Sequence, residues 1–150
     1  MKPEKYQRIF NQIESLLIKC NDPVSQMSTV SAVLYHKMDY FFWCGFYRIV
    51  NDQLIVGPYQ GTVACQVLEK NKGVCWAGVN LSKTIIVPDV SLFPGHIACD
   101  SRSKSEIVVP LRNKLTLVIA VLDVDSTSFN SFDDIDAEYL EKILTLINIE

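Results

Sequence analysis

The run Phe93-Pro94-Gly95-His96-Ile97-Ala98-Cys99-Asp100, continued by Ser101-Arg102-Ser103-Lys104-Ser105-Glu106-Ile107-Val108-Val109-Pro110, changes character midway. Pro94-Gly95 punctuates a loop, and the serine-rich stretch to Ser105 carries polar groups that a core segment would leave unpaired. Glu106 to Pro110 then reads as a short apolar strand closed by a proline. Cys99 thus sits on a loop beside Asp100, just ahead of a core strand, where rigid scaffolds commonly present reactive groups.

Upstream, Tyr6, Ile9, Phe10, Ile13, Leu16, Leu17 and Cys20 recur at three- and four-residue steps and predict an amphipathic helix. Pro3 suits its first turn and Asn21-Asp22-Pro23 stops it. Cys20 continues the apolar stripe and is expected to be a small buried hydrophobe. A second helix follows from about Val24 to Met38, with Met27, Val30, Leu34 and Met38 inward and His36 solvated. Tyr40 to Val50 is an aromatic-rich strand, turned by Asn51-Asp52 into Gln53 to Val56. Alternation puts Phe41, Trp43, Gly45 and Tyr47 on one face and Phe42, Cys44 and Phe46 on the other.

Gly57 to Gly61 is expected to be a loop and Thr62 to Leu68 a strand carrying Cys65. Asn71-Lys72-Gly73 turns the chain ahead of Val74 to Gly78, and Thr84 to Val87 is a further strand. Leu115 to Val124 is the last and most apolar strand; it delivers Asp123 and Asp125, two positions apart and so on one face. Ser131-Phe132-Asp133-Asp134 opens a final helix with an apolar face of Ile135, Tyr139, Ile143, Leu146 and Ile147. Two helices, about six strands and one helix, with hairpin connections, indicate an α+β fold with a mainly antiparallel central sheet.

The 150 residues suit a single domain, residues 1–150, and a content of 49% hydrophobic and 21% charged is ordinary for one. A formal charge of −3 with no basic cluster argues against nucleic acid or an anionic membrane as partner. The N-terminus lacks the apolar core of a signal peptide, and no run of about 18 apolar residues is present to span a bilayer. Five cysteines, an odd number without a secretory signal, point to a reducing compartment, by default the cytoplasm.

Cys65, Cys75 and Cys99 fall in turn or strand-edge contexts. No CxxC pair is present, so zinc-ribbon and thioredoxin-like readings fail on spacing, and no metal is expected. Glu106 opens one apolar strand and Asp123 and Asp125 close another, positions that a core-building sequence would keep uncharged. They are either solvated strand ends or, should the strands lie side by side, the lining of one pocket. Such a pocket suits a cationic ligand, with Trp43 and Tyr47 as an aromatic wall.

Trp43-Cys44-Gly45-Phe46-Tyr47, Gly61 to Cys65, Lys72-Gly73-Val74-Cys75, Val87 to Val90, Phe93 to Asp100, Ser105 to Pro110 and Val121 to Ser126 resemble the GAF-type free methionine-(R)-sulfoxide reductases. The likeness spans about Trp43 to Phe132 and implies a GAF-like fold, with the N- and C-terminal helices packed together on one face of the sheet. It implies that Cys99 is the nucleophile attacking the sulfoxide sulfur, that Cys65 captures the sulfenic acid, and that Cys75 is a third thiol able to join or replace it. It also implies that Glu106 and Asp125 assist proton transfer, and that Glu106, Asp123 and Asp125 bind the substrate while Trp43 and Tyr47 shape the pocket around its methyl end. The implied partners are free methionine sulfoxide and thioredoxin, an external reductant in place of any bound cofactor; a homodimer stays open. The sequence departs from the family pattern at Asn71 (a usual glycine), at Trp76 (a usual small residue), at Ala120 (a common glycine) and in a short Arg112-Asn113-Lys114 turn. The competing reading is a non-enzymatic GAF module sensing a small molecule or redox state, against which a free-standing chain without an output domain argues.

Overall fold

The strands Trp43–Val50 (β1), Gln53–Gln60 (β2), Val67–Leu68 (β3), Ile85–Val87 (β4), Ser105–Arg112 (β5) and Val118–Ser126 (β6) form a six-stranded sheet in the order β3-β2-β1-β6-β5-β4. Every neighbouring pair is antiparallel. The structure, a computed structural model, describes residues 1–96 and 99–149. Ile97 and Ala98 of the Phe93–Asp100 segment, and Glu150, lie outside the described residues.

The two faces of the sheet carry separate cores, because successive side chains of a strand point to opposite sides. Cys44, Phe46, Ile107, Val109, Leu122 and Val124 face one way, into a core shared with helices Lys2–Leu17 (α1), Pro23–Lys37 (α2) and Asp134–Leu144 (α4). Trp43, Tyr47, Val108 and Val121 face the other, with helix Gly73–Leu81 (α3). The α+β class and the terminal helices gathered on one face are as the sequence predicts. No helix among the described residues is long and apolar enough to cross a membrane.

Local chemistry explains the helix boundaries. Asp22 caps α2, its carboxylate accepting from Ser25 N at 2.9 Å, with Pro23 in the first turn. Asp133 and Asp136 make a reciprocal capping box at the start of α4. α1 ends at Leu17, earlier than the apolar stripe suggests, and Gln26 Nε2 donates to the freed carbonyls of Leu17 at 3.3 Å and Cys20 at 2.9 Å. Cys20 is therefore exposed, not the buried hydrophobe expected of it.

Five other expectations change. Phe41 N donates to Met38 O in a turn, so strand alternation starts only at Trp43, and Phe41 and Phe42 exchange faces: Phe41 joins the helix-side core and Phe42 the other. Gly57 to Gln60 continues β2 instead of looping; β3 pairs only Leu54 and Ile55, so Pro58 lies where no outer neighbour needs its missing N–H. Thr62 to Gln66 is irregular, and only Val67–Leu68 is strand. Finally, Val74 to Gly78 belongs to α3, so Cys75 is on a buried helix and not at a turn or strand edge. α3 packs so close to the sheet that a Cβ at Gly78 would stand 2.8 Å from Val108 Cγ1. The last strand begins at Val118, leaving Leu115 and Leu117 exposed in the preceding turn.

Candidate active site

Strand register makes the site. Glu106 on β5 stands opposite Asp125 on β6, and Asp123, two residues along, stands opposite Gly45 on β1. Residues two apart share a face, so all three carboxylates emerge on the α3 side. Gly45 leaves room there: a Cβ would fall 2.9 Å from the Trp43 ring and closer still to Tyr59. One cavity collects Trp43, Tyr47, Cys75, Cys99, Glu106, Asp123 and Asp125, with Phe42 and His96 at its wall. Its interior space of ≈ 50 Å³ takes a few waters.

Cys65 joins this group through a disulfide to Cys99, with the Cα atoms 5.7 Å apart and 34 residues between them in sequence. Both sulfurs lie on irregular segments, and five side chains take part in fastening those segments. Trp43 Nε1 donates to Thr62 O at 2.9 Å, and Tyr47 OH donates to Cys65 O at 3.1 Å. Thr62 Oγ1 donates to Asp100 Oδ2 at 3.0 Å, tying the Cys65 segment to the Cys99 segment. Arg102 clamps Asp100 through its backbone N and guanidinium, which holds the Asp100 carboxyl well below the usual range. The Trp43 ring stacks on Tyr47 at 5.9 Å and on Tyr59 at 5.2 Å, so the aromatic wall is rigid.

The electrostatics are those of too many acids in too little water. Glu106 is 5% exposed and Asp123 6%. Burial pushes the Glu106 carboxyl well above its ordinary range, with Asp123 and Asp125 adding repulsion. Asp125 is likewise raised by burial and by Asp123. Asp123 is raised by burial, while hydrogen bonding from Glu106 and the Cys75 thiol holds it back. Each of the three carboxyls is thus biased toward keeping a proton. Burial, then Asp123, Glu106 and Asp125, push the Cys75 thiol well up, so it is a thiol and not a thiolate. Tyr47 is raised by burial and by Asp123, and stays a phenol.

Every residue that the sequence marks as a candidate is brought to this one place. Sequence reading missed Phe42, assigned to the other face, and Tyr59, assigned to a loop. It also missed the clasp of Thr62, Asp100 and Arg102, whose partners are 38 and 2 residues from Asp100 and meet only in the fold. Trp76 does not touch the cavity; it is buried in the α3-side core, with Lys70 Nζ 4.5 Å from its ring centroid. Asn71 stands where the family's glycine is usual, and its φ of 60° is a left-handed conformation that asparagine tolerates.

Fold and site define a class: a GAF-type domain with a thiol pair closing an acidic, aromatic-walled cavity. No protein-family model matches the chain. It is 47% identical over 148 residues to GAF domain-containing protein A of Dictyostelium discoideum, covering 98% of this chain and 92% of that one. It is 42% identical to the free methionine-R-sulfoxide reductase of Saccharomyces cerevisiae, covering 83% of this chain and 73% of the yeast protein. The free methionine-R-sulfoxide reductase of Neisseria meningitidis, solved in complex with its substrate, superposes with a TM-score of 0.93 at 38% identity, over 98% of this chain and 88% of that one. The chain belongs to the free methionine-R-sulfoxide reductase family.

Proposed function

We propose that this protein reduces free L-methionine (R)-sulfoxide to methionine through a cysteine sulfenic acid and a disulfide, and that thioredoxin recycles it. The observation that carries the reading is the Cys65–Cys99 bond at the mouth of a cavity lined by Glu106, Asp123 and Asp125, in a chain of this family. The Cys99 thiolate attacks the sulfoxide sulfur. Oxygen passes to Cys99 as a sulfenic acid and methionine leaves; Cys99 is oxidised by two electrons as the sulfoxide is reduced. Cys65 then attacks the sulfenic sulfur, a water departs, and the disulfide forms. A dithiol reductant returns both thiols, with thioredoxin the reductant proposed.

Each carboxylate has a task that its surroundings favour. Oxide is a poor leaving group, so the sulfoxide oxygen must gain a proton; Glu106, whose carboxyl is pushed well up by burial and then by its acidic neighbours, supplies it together with Asp125. Asp123 and its neighbours receive the substrate's ammonium, which offsets their repulsion and so eases ionisation of Cys99. Trp43 and Tyr47 pack against the methyl end.

The test is a thioredoxin-coupled NADPH assay with free methionine sulfoxide, on wild type and Cys99→Ser, with N-acetylated methionine sulfoxide as the comparison substrate. Turnover should vanish in Cys99→Ser, because a hydroxyl cannot form the sulfenic intermediate. Wild type should reject the N-acetylated substrate, up to ~10⁴-fold for a site built around a required polar group. Normal turnover by Cys99→Ser, or equal kcat/KM for the two substrates, would overturn the corresponding half of the reading.

A further inference from the structure

We propose that Cys75, Glu106 and Asp123 form a site for a borderline-soft divalent cation, Zn²⁺, which occupies the cavity in competition with substrate. The three residues come from α3, β5 and β6, and no sequence spacing announces them. One donor atom from each lies within 4.8 Å of the other two. All three side chains are more than nine-tenths buried, at 4%, 5% and 6% exposed. Asp123 Oδ1 is buried without a hydrogen-bond partner among the described residues. An acceptor in that position costs free energy until a donor or a cation reaches it.

The donor set selects the ion. A thiolate with two carboxylates suits Zn²⁺, whereas Mg²⁺ and Ca²⁺ prefer all-oxygen shells. All three donors face the cavity, so a water there fills the fourth tetrahedral position. A thiol gives up its proton to ligate Zn²⁺, so Cys75 releases one as the ion enters. Binding therefore tightens as pH rises. Competition with substrate rests on the reading above, in which the same carboxylates receive the ammonium.

Co²⁺, which reports thiolate ligation by a charge-transfer band in the near ultraviolet, is the first probe. It is titrated into the oxidised protein, whose Cys65 and Cys99 are closed to metal by their disulfide. We expect saturation at one ion per chain and displacement by Zn²⁺. The band should be lost in Cys75→Ser and kept in Cys20→Ser, which removes the exposed thiol. No band in wild type, or a band that survives Cys75→Ser, overturns the site. Circular dichroism checks that Cys75→Ser is folded. Should it not be, Asp123→Asn replaces it in the same titration, with affinity expected to fall at least ~10-fold and an unchanged affinity overturning the proposal. Free methionine sulfoxide added to a Cys65→Ser/Cys99→Ser protein loaded with Co²⁺ should reduce the band. Binding without that displacement overturns the competition and the ammonium reading, and leaves the metal site standing.

Discussion

Cys65 and Cys75 lie near the proposed nucleophile, Cys99, under different conditions. Cys65 lies on an irregular segment held by hydrogen bonds from Tyr47 and Trp43, already bonded to Cys99. Cys75 is on a buried helix, its thiol pushed up by burial and by three carboxylates. Capture of a sulfenic acid needs a thiolate that can move, so Cys65 is the proposed resolving residue. Cys65→Ser should then release about one methionine per chain in a single turnover and stall with thioredoxin, since recycling needs the second thiol. Cys75→Ser should keep recycling. Quenched-flow counting of methionine beside a steady-state assay reads both, and the opposite pattern would exchange the two roles. The sequence displays all three thiols but leaves the choice open, because the environment that separates them depends on α3, which has no signature along the chain.

At the scale of elements, the carboxylate cluster is a product of the β5–β6 register, with Glu106 directly across from Asp125. That much is legible: both runs are apolar, each carries an acid at its end, and adjacency makes a pocket. Other elements are not legible, for definite reasons. α3 reads Gly73-Val74-Cys75-Trp76-Ala77-Gly78-Val79-Asn80-Leu81, apolar on most sides and holding two glycines, so no 3.6-residue stripe emerges. β2 runs through Gly57-Pro58, usually a break, because β3 pairs only Leu54 and Ile55, so the missing N–H of Pro58 costs no ladder bond on that edge. The register also carries a pH dependence. Glu106 is raised above its ordinary 4.5 and Asp125 above 3.8, so between those values and the folded ones the native state binds more protons than the unfolded chain. Stability conferred by these groups is then full below about pH 4 and falls as pH rises toward the folded values, by about 1.4 kcal/mol per pH unit for each carboxyl that keeps its proton only in the fold. Glu106→Gln, isosteric and without charge, should flatten that decline and match or exceed wild type at pH 8. Urea unfolding at pH 5 and pH 8 measures it; identical slopes in the two proteins would mean that Glu106 does not carry the strain.

Across the whole molecule, the sheet divides labour between its faces. The α3 side holds buried acids in an unfavourable arrangement, and the helix side must supply the stability that tolerates it. A buried polar knot fastens that helix side. Asp136, fully buried on α4, accepts from Tyr6 OH at 2.6 Å and from Tyr40 OH through Oδ1, and from Lys2 Nζ at 2.7 Å and Asp133 N at 2.8 Å through Oδ2. It thereby joins α1, the approach to β1 and the start of α4, three segments distant in the chain. Burial and the nearby Asp136 charge hold the Tyr6 and Tyr40 hydroxyls protonated far above the ordinary phenol range, so both remain donors. Asp136→Ala strands two phenols and the capping N–H of Asp133. Removing one member of such a group costs about 3 kcal/mol or more, which for a chain of this size lowers Tm by roughly 10 °C. Lys2→Ala should cost less, about 1 kcal/mol or under, because its ammonium is partly exposed. The knot lies on the face opposite the cavity, so kcat/KM of Asp136→Ala, measured well below its own Tm, should stay within a few-fold of wild type. A loss of activity at 15 °C as large as that of Cys65→Ser, in protein shown folded by circular dichroism, would mean that the two faces are coupled through the sheet and that the division of labour does not hold.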